Sequence, residues 1–462
     1  MKFKLLTSLG LVLMATGHAS AQLLQLSEAI QRATESYDAL KAKQSLHAAA
    51  AENTAFLRQL HLPDFHISAQ QSYGTVNMIH GPMLAGGGIA STSMPLAEQN
   101  WNAGFGALYL AHINWNVFTF GRVKNQIGLG VAAERTAAAD LNQEIFQHQV
   151  KVAAAYLKLL ACQRLYQVQG KNVNRAQVFY TLTAARAESG LLPEVDAALA
   201  EAEVAHARSL QIKAQDKVLD YNKQLAVLMG DSFKTYELDS AYSSTLPMDL
   251  LQYQQQQAKG HPLLLLQSQK IDFSKQMESL LTAERRPSLS AAAVLQGRGS
   301  GFAHNYAQNT QAFSTAYPKG VGIDRGNYLL GLTLSWNLTQ IPRYAAKIKE
   351  QQLLTQSLRQ QYDGLAKELQ AQLQLGEAQL QQAYKNLKET IVQRKAAEQA
   401  FKQQMARYEN GLSTLVDYTQ ALYSINRAEI EQEVAHNNVW QALLLLAAAQ
   451  GDLSTLLPHH KD

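Results

Sequence analysis

The chain of 462 residues contains one cysteine, Cys162, which excludes an internal disulfide and any cysteine-clustered zinc site. Charge of either sign is scarce as well: 41 Lys+Arg stand against 37 Asp+Glu, a formal net charge of +4. A nucleic-acid surface carries a clear basic excess, so no nucleic-acid partner is expected. Hydrophobic residues make up 47% of the chain. After residue 21, however, no apolar run reaches the roughly 18–20 residues of a spanning helix. The longest run, 442–449, suits a helix core. Catalytic signatures are missing too. Gly297-Arg298-Gly299-Ser300-Gly301 misses the spacing of a phosphate or dinucleotide loop and reads as a surface loop. His61 and His66 lack the carboxylate–histidine company of a metal site, and His459-His460 is a solvated terminal dipeptide. No enzyme activity, metal or cofactor is expected.

The first 21 residues have the layout of a secretory signal peptide. Lys2 and Lys4 precede a mostly apolar stretch, and Ala19-Ser20-Ala21 forms a small-x-small cleavage site. Its removal leaves 39 basic against 37 acidic residues. The reading is of an exported protein without a spanning helix.

Length alone suggests about three ordinary domains, but an internal repeat replaces that expectation. The segment 185–191 (Ala-Arg-Ala-Glu-Ser-Gly-Leu) matches 406–412 (Ala-Arg-Tyr-Glu-Asn-Gly-Leu) at an offset of 221. Trp115 with Trp336, Arg122 with Arg343, Asp196 with Asp417 and Gly230 with Gly451 share that offset. Leu40 with Leu264 and Pro63 with Pro287 stand at 224, the difference falling in a glycine-rich stretch where a loop absorbs it. The predicted organisation is a first unit over 22–230, a linker over 231–249, a second unit over 250–451 and a tail over 452–462. Each unit carries a helical segment (26–61; 250–284), two strands (64–73 and 104–120; 288–296 and 327–339) and a glycine-rich loop between them (74–100; 297–326). Two long helices follow in each unit (122–189 and 193–229; 343–409 and 414–450).

The stretch 122–188 contains no proline, and as continuous helix it spans about 100 Å at 1.5 Å per residue. Every seventh residue from Ile145 is apolar or aromatic (Val152, Leu159, Tyr166, Val173, Tyr180). The second unit repeats the stripe through Ala366, Leu373, Leu380, Leu387 and Phe401, broken by Arg394. That period predicts coiled-coil packing. Ala155, Cys162 and Ala176 are small residues that let helices approach, which makes Cys162 a packing residue.

The predicted strands alternate. Tyr328, Leu330, Leu332, Leu334 and Trp336 share one face, and Gly331, Thr333, Ser335 and Asn337 the other. In the first unit Tyr109, Ala111, Ile113 and Trp115 oppose His112 and Asn114, and Phe65, Ile67 and Ala69 oppose His66, Ser68 and Gln70. The stretch 288–296 alternates least. An apolar face with aromatics near its ends fits a lipid-facing β-barrel wall, placing Tyr109, Trp115, Tyr328, Leu332 and Trp336 against outer membrane lipid. Four strands cannot close a barrel, and open edges are not tolerated in lipid. The chain is therefore expected to assemble with copies of itself, two giving about eight strands and three about twelve.

Taken as an ordered, duplicated set, these residues resemble the TolC-like outer membrane efflux protein family. The resemblance rests on the repeat, the Pro-led strands, and the junctions Asn114-Trp115-Asn116-Val117-Phe118 with Gly121-Arg122 and Ser335-Trp336-Asn337-Leu338 with Arg343. It also includes the Gly-Leu tips followed by Asp. Pro342 stands where the first unit has Gly121, so the two junctions are expected to turn differently. The resemblance implies a mainly α fold: a homotrimer with a twelve-stranded transmembrane β-barrel continuous with a long periplasmic α-helical barrel. It implies a passive exit duct in the outer membrane, extending into the periplasm. Such a duct serves tripartite efflux or type I secretion together with a periplasmic adaptor and an inner-membrane transporter. Gly190, Leu191, Gly411 and Leu412 become adaptor-docking tips. Asp196, Tyr408 and Asp417 become the periplasmic gate, with Tyr408 bonding Asp196 and Asp417 forming a ring about the threefold axis. Gln420 and Ser413 stand where some members carry a second acid and an arginine. From local chemistry, Pro193 is placed first in its helix and Ser413 at the N-cap of its own. The rival reading is a non-conducting periplasmic coiled-coil scaffold or adaptor.

Overall fold

Alternation of apolar and polar residues folds the strand-forming segments into one four-stranded antiparallel sheet. The computed structural model describes residues 23–77, 83–85, 88–90, 96–240, 242, 260–454 and 456. The expected signal peptide, part of the linker, the start of the helical segment 250–284 and most of the tail lie outside them. The strands are β1 (Asp64–Thr75), β2 (Met83–Ala85), β3 (Gly88–Ala90), β4 (Ala103–Phe118), β5 (Ser288–Ser300) and β6 (Arg325–Ser335). The main sheet runs β1-β4-β5-β6, and β2 pairs with β3 in a separate small hairpin. The chain divides into two compact units, one within Met1–Leu46, Ala138–Ser268 and Gln361–Asp462, the other comprising His47–Ala137 and Gln269–Gln360.

The second of these units holds the sheet, and register decides what its faces present. Phe65, Ile113, Ala293 and Leu330 form one cross-strand row, and Ile67, Ala111, Leu295 and Tyr328 the next. This apolar face is open: Ile67 is 76% exposed, Leu332 73% and Tyr328 82%. The opposite face carries rows such as Ser68–Leu110–Gln296–Asn327 and Gln70–Leu108–Arg298–Arg325. Polar residues dominate it, interrupted by Leu108, Leu110, Val294 and Leu329. β5, the stretch with the weakest alternation, is an inner strand paired on both sides. Its Ala291 and Ala293 are small because they lie opposite Leu332 and Leu330.

Two expectations about the strands are corrected. β6 ends at Ser335 rather than 339, and Trp336 follows it with its indole N–H donating to the Arg285 carbonyl at 3.0 Å. The corresponding Trp115 N–H donates to the His61 carbonyl at 2.8 Å, so tryptophans 221 apart bond to residues 224 apart. The glycine-rich 297–301 segment is not a loop either: β5 continues through Ser300. Its glycines face a folded connection that includes a short helix, α6 (Tyr317–Val321). A Cβ on Gly299 would stand 2.1 Å from the Gly322 carbonyl oxygen, and one on Gly320 2.2 Å from Phe105 Cβ. Tyr317 meets Phe105 edge-on at 5.1 Å, and its hydroxyl donates to Gln71 at 2.7 Å. Gln71 in turn donates to the Tyr109 hydroxyl, which donates to the Val321 carbonyl at 3.0 Å. Tyr109 is thus on the expected face but half-buried beneath this connection.

The helices are α1 (Leu26–Ser36), α2 (Asp38–Gln59), α3 (Arg122–Glu188), α4 (Glu194–Leu228), α5 (Pro262–Ala283), α7 (Gln340–Glu409) and α8 (Leu415–Gln450). The predicted 26–61 helix breaks at Tyr37, whose backbone is extended and whose ring stacks on His148 at 4.0 Å. The strand-to-helix junctions do differ. In the first, Phe120 and Gly121 take positive φ of 50° and 97°. In the second, α7 starts at Gln340 and accommodates Pro342 in its opening turn, where the missing N–H has no helical partner. The seven-residue stripe is the packing seam of the first unit. Val152 and Leu159 of α3, Leu380, Leu387 and Phe401 of α7, and the small Ala155, Cys162 and Ala176 are buried. Burial pushes the Cys162 thiol above its ordinary pKa, as suits a packing residue. Arg394, which interrupts the stripe, pairs with Glu398 one turn on at 3.3 Å.

The 2.1 Å approach at Gly299 leaves no room for a side chain. Gly299→Val should lift residues 314–323 from the strand and speed tryptic cleavage after Lys319 several-fold; unchanged cleavage would mean that the glycines do not seat this connection.

Candidate functional site: the helix tips

Both long hairpins turn on the same backbone device. At the end of α3 the Leu191 N–H donates to the Arg186 carbonyl at 2.9 Å and the Gly190 N–H to Ala187 at 2.9 Å. At the end of α7 Leu412 donates to Arg407 at 2.9 Å and Gly411 to Tyr408 at 3.1 Å. These are Schellman motifs, which need a left-handed residue, and Gly190 and Gly411 supply φ of 70° and 72°. In such a motif the residue after the glycine ordinarily packs on an apolar side chain five positions earlier. Here those positions are Arg186 and Arg407, so Leu191 and Leu412 gain no such cover and are 74% and 69% exposed. The two predicted tips are built alike and left open.

The arginines are occupied otherwise. Arg186 donates to the Tyr408 carbonyl at 2.9 Å and to the Glu409 carbonyl, and its guanidinium lies 5.7 Å from the Tyr408 ring centre. It thereby satisfies the Glu409 carbonyl at the C-terminus of α7 and adds a second donor to the Tyr408 carbonyl, which already accepts from Gly411. One tip is tied to the other by a residue that sequence reading missed; the only signal was a basic residue in the last turn. Further along, Arg175 grips Glu429 with two hydrogen bonds of 2.8 and 2.6 Å. Between them sits an aromatic cluster of Phe179, Phe401, Tyr408 and Tyr418, with Phe179 and Tyr418 stacked at 4.1 Å.

The expected gate residues are not brought together as anticipated. Tyr408 is only 3% exposed, and its hydroxyl lies 3.4 Å from the Thr183 hydroxyl rather than on Asp196. Packing against Phe179 and Tyr418 holds the ring inside the cluster. Asp196 lies in the first turn of α4, where the helix dipole favours its charge. Asp417 forms a capping box with Thr414: its N–H donates to the Thr414 hydroxyl at 3.2 Å, and Thr414 N–H and O–H donate back to its carboxylate at 3.2 and 2.7 Å. These bonds hold the Asp417 carboxyl below the usual aspartate range. The N-cap is therefore Thr414 and not Ser413, because the Ser413 hydroxyl is taken by Gln404. Pro193 likewise sits at the N-cap, one position ahead of its predicted place.

Elsewhere, His66 stacks on its cross-strand partner His112 at 4.8 Å, and His61 bonds the Arg58 carbonyl. No group of three or more His, Cys, Asp or Glu among the described residues could hold a metal ion, and none of the described helices is long and apolar enough to cross a membrane.

The fold thus combines a sheet with an open apolar face and helical hairpins with exposed Gly-Leu tips. Three solved structures share it. CusC, described as forming a transmembrane channel, matches at TM-score 0.74 and 13% identity over 93% of this chain and 92% of its own. The outer membrane protein VceC of Vibrio cholerae matches at 0.71 and 14% over 92% and 96%. The CmeC outer membrane channel of Campylobacter jejuni matches at 0.70 and 14% over 95% and 87%. No curated protein matches the sequence. Residues 29–231 match the family model described as outer membrane efflux protein.

The capping box makes a local prediction. Thr414→Ala removes a cap that typically contributes ~1 kcal/mol, so amide exchange at 415–417 should quicken about fivefold. In the unaltered protein the contribution from Asp417 is fully present above the ordinary aspartate pKa. It is lost as pH falls through the depressed folded value. Equal exchange in the two proteins at neutral pH would show that the box does not hold the turn.

Proposed function

We propose that the chain is a passive exit duct of the outer membrane, built from three copies and extending into the periplasm. The observation that carries this reading is the four-stranded sheet with an exposed apolar face and two outer strands, β1 and β6, each paired on one side only. Lipid covers such a face, but lipid offers no hydrogen bond to an open edge, and only closure satisfies both conditions. Three copies give twelve strands and an aqueous lumen, whereas two leave an interior that side chains fill. On β4 the stretch from Phe105 to Trp115 at ~3.4 Å per residue and a strand tilt near 40° rises about 25 Å, the height of an apolar band in an outer membrane barrel. Trp115, Trp336, Tyr328 and Leu332 then face lipid, with Tyr109 under the outer connection. Repetition of the Trp bonds and of the Schellman tips at the same offsets supports a duplicated unit, so each copy contributes two near-equivalent sectors of the wall.

The exposed leucines at the tips take the helical hairpins of a periplasmic adaptor, which couples the duct to an inner-membrane transporter. Asp196 and Asp417 narrow the periplasmic end, and Tyr408 acts on the gate by buttressing the tip cluster rather than by latching to Asp196. A ring of Asp417 carboxylates favours cations at that constriction. The periplasmic scaffold reading accounts for the helical seam but leaves the apolar sheet face without a solvent.

Fractionation separates the two readings: a heat-modifiable trimer in the outer membrane is expected, and a soluble periplasmic protein would refute the duct. Leu191→Asp with Leu412→Asp should leave that trimer intact and abolish export, measured as loss of substrate efflux from cells. Full export by the double variant would remove the tips from the mechanism. Asp417→Asn should lower the cation preference of the single channel, and an unaltered preference would exclude Asp417 from the constriction.

A further inference from the structure

Arg298 and Arg325 are an unusual pair. They stand directly opposite each other on neighbouring strands, in the row Gln70–Leu108–Arg298–Arg325. Like charges opposed in this way destabilise a sheet unless something offsets them. No carboxylate within ion-pair distance does so among the described residues. The nearest candidate in sequence, Asp324, points its carboxylate at the Ser300 N–H at 3.4 Å while its own N–H donates to the Arg298 carbonyl. Both arginines are exposed and lie on the polar face. Their side is fixed by the glycines that flank them: Gly297 and Gly299 turn to the apolar face, where Ile323 and the Gly322 backbone pack on them. Arg298 has no alternative face to adopt without a register slip. The pair also lies at the end of the strands remote from the helix junctions, since β5 begins near the Trp336 bond at Arg285 and ends at Ser300.

We infer that Arg298 and Arg325 form a cationic collar at the outer mouth of the lumen, which raises the local concentration of anions and favours the exit of anionic solutes. The inference rests on the duct reading above. Three copies place six guanidinium groups around one level of the lumen, on a wall whose other side is apolar and whose field is therefore directed inward. Guanidinium stays charged at all relevant pH and presents a fork of N–H donors that suits carboxylate and phosphate groups. The collar and the Asp417 carboxylates have opposite signs.

The test uses the purified full-length protein in planar lipid bilayers, with the K+/Cl− permeability ratio read from the reversal potential in a KCl gradient. Arg298→Gln with Arg325→Gln should raise the ratio about twofold or more at ~0.1 M salt, where the Debye length is near 10 Å, and much less at ~1 M, where it is near 3 Å. Arg298→Lys with Arg325→Lys keeps the charge and should keep the wild-type ratio. A wild-type channel whose ratio is unmoved by the glutamine pair at low salt would overturn the collar. So would an equal shift in the lysine pair, because it would trace the effect to wall structure rather than charge. Absence of any wild-type conductance would overturn the duct itself.

Discussion

Backbone hydrogen bonding in a medium without water is the constraint on which the rest of this protein depends. A four-stranded sheet with one apolar face can enter lipid only if every strand edge finds a partner. Among the described residues the main sheet has four strands and two single-sided edges. The proposed closure by three copies, and with it a lumen, answers that deficit. In the helical part the backbone is satisfied within each helix, and the side chains of Val152, Leu159, Leu380, Leu387 and Phe401 are buried in its packing.

Glycine does two separate kinds of work here. At Gly190, Gly230, Gly411 and Gly451 it supplies the left-handed backbone that ends each of the four helices following the sheet, with φ between 70° and 81°. At Gly299 and Gly320 the backbone conformation is ordinary and the demand is for space, since peptide groups approach where a methyl would stand. The same residue type therefore sets the turning points of the helical hairpins and seats the connection over the outer end of the sheet.

The parts of this fold legible in the sequence were those written as period or as punctuation. The two-residue alternation of β6, the seven-residue stripe of α3 and the Gly-Leu tips all declare a local geometry without reference to distant residues. β5 was underestimated because an inner strand with Ala and Gly facing large neighbours loses its alternation, its contribution being to receive Leu330 and Leu332. The 297–301 segment was misread because its glycines answer to residues 320–323, which no local pattern reveals. At the tips, the choice between Ser413 and Thr414 as cap was decided by Gln404, nine residues before Ser413. The Tyr408 hydroxyl was placed by Thr183 in a helix more than two hundred residues away. The pairing of Arg298 with Arg325 depends on strand register, and register is a property of the folded sheet.

Closure of the sheet edges is the central claim, and amide hydrogen exchange of the protein in its native membrane or in lipid nanodiscs tests it most directly. If β1 and β6 meet neighbouring copies, their outward amides will be protected as strongly as those of the inner strands β4 and β5. Rapid exchange along β1 and β6 beside protected β4 and β5 would contradict the account, because it would leave the edges open and the wall unclosed.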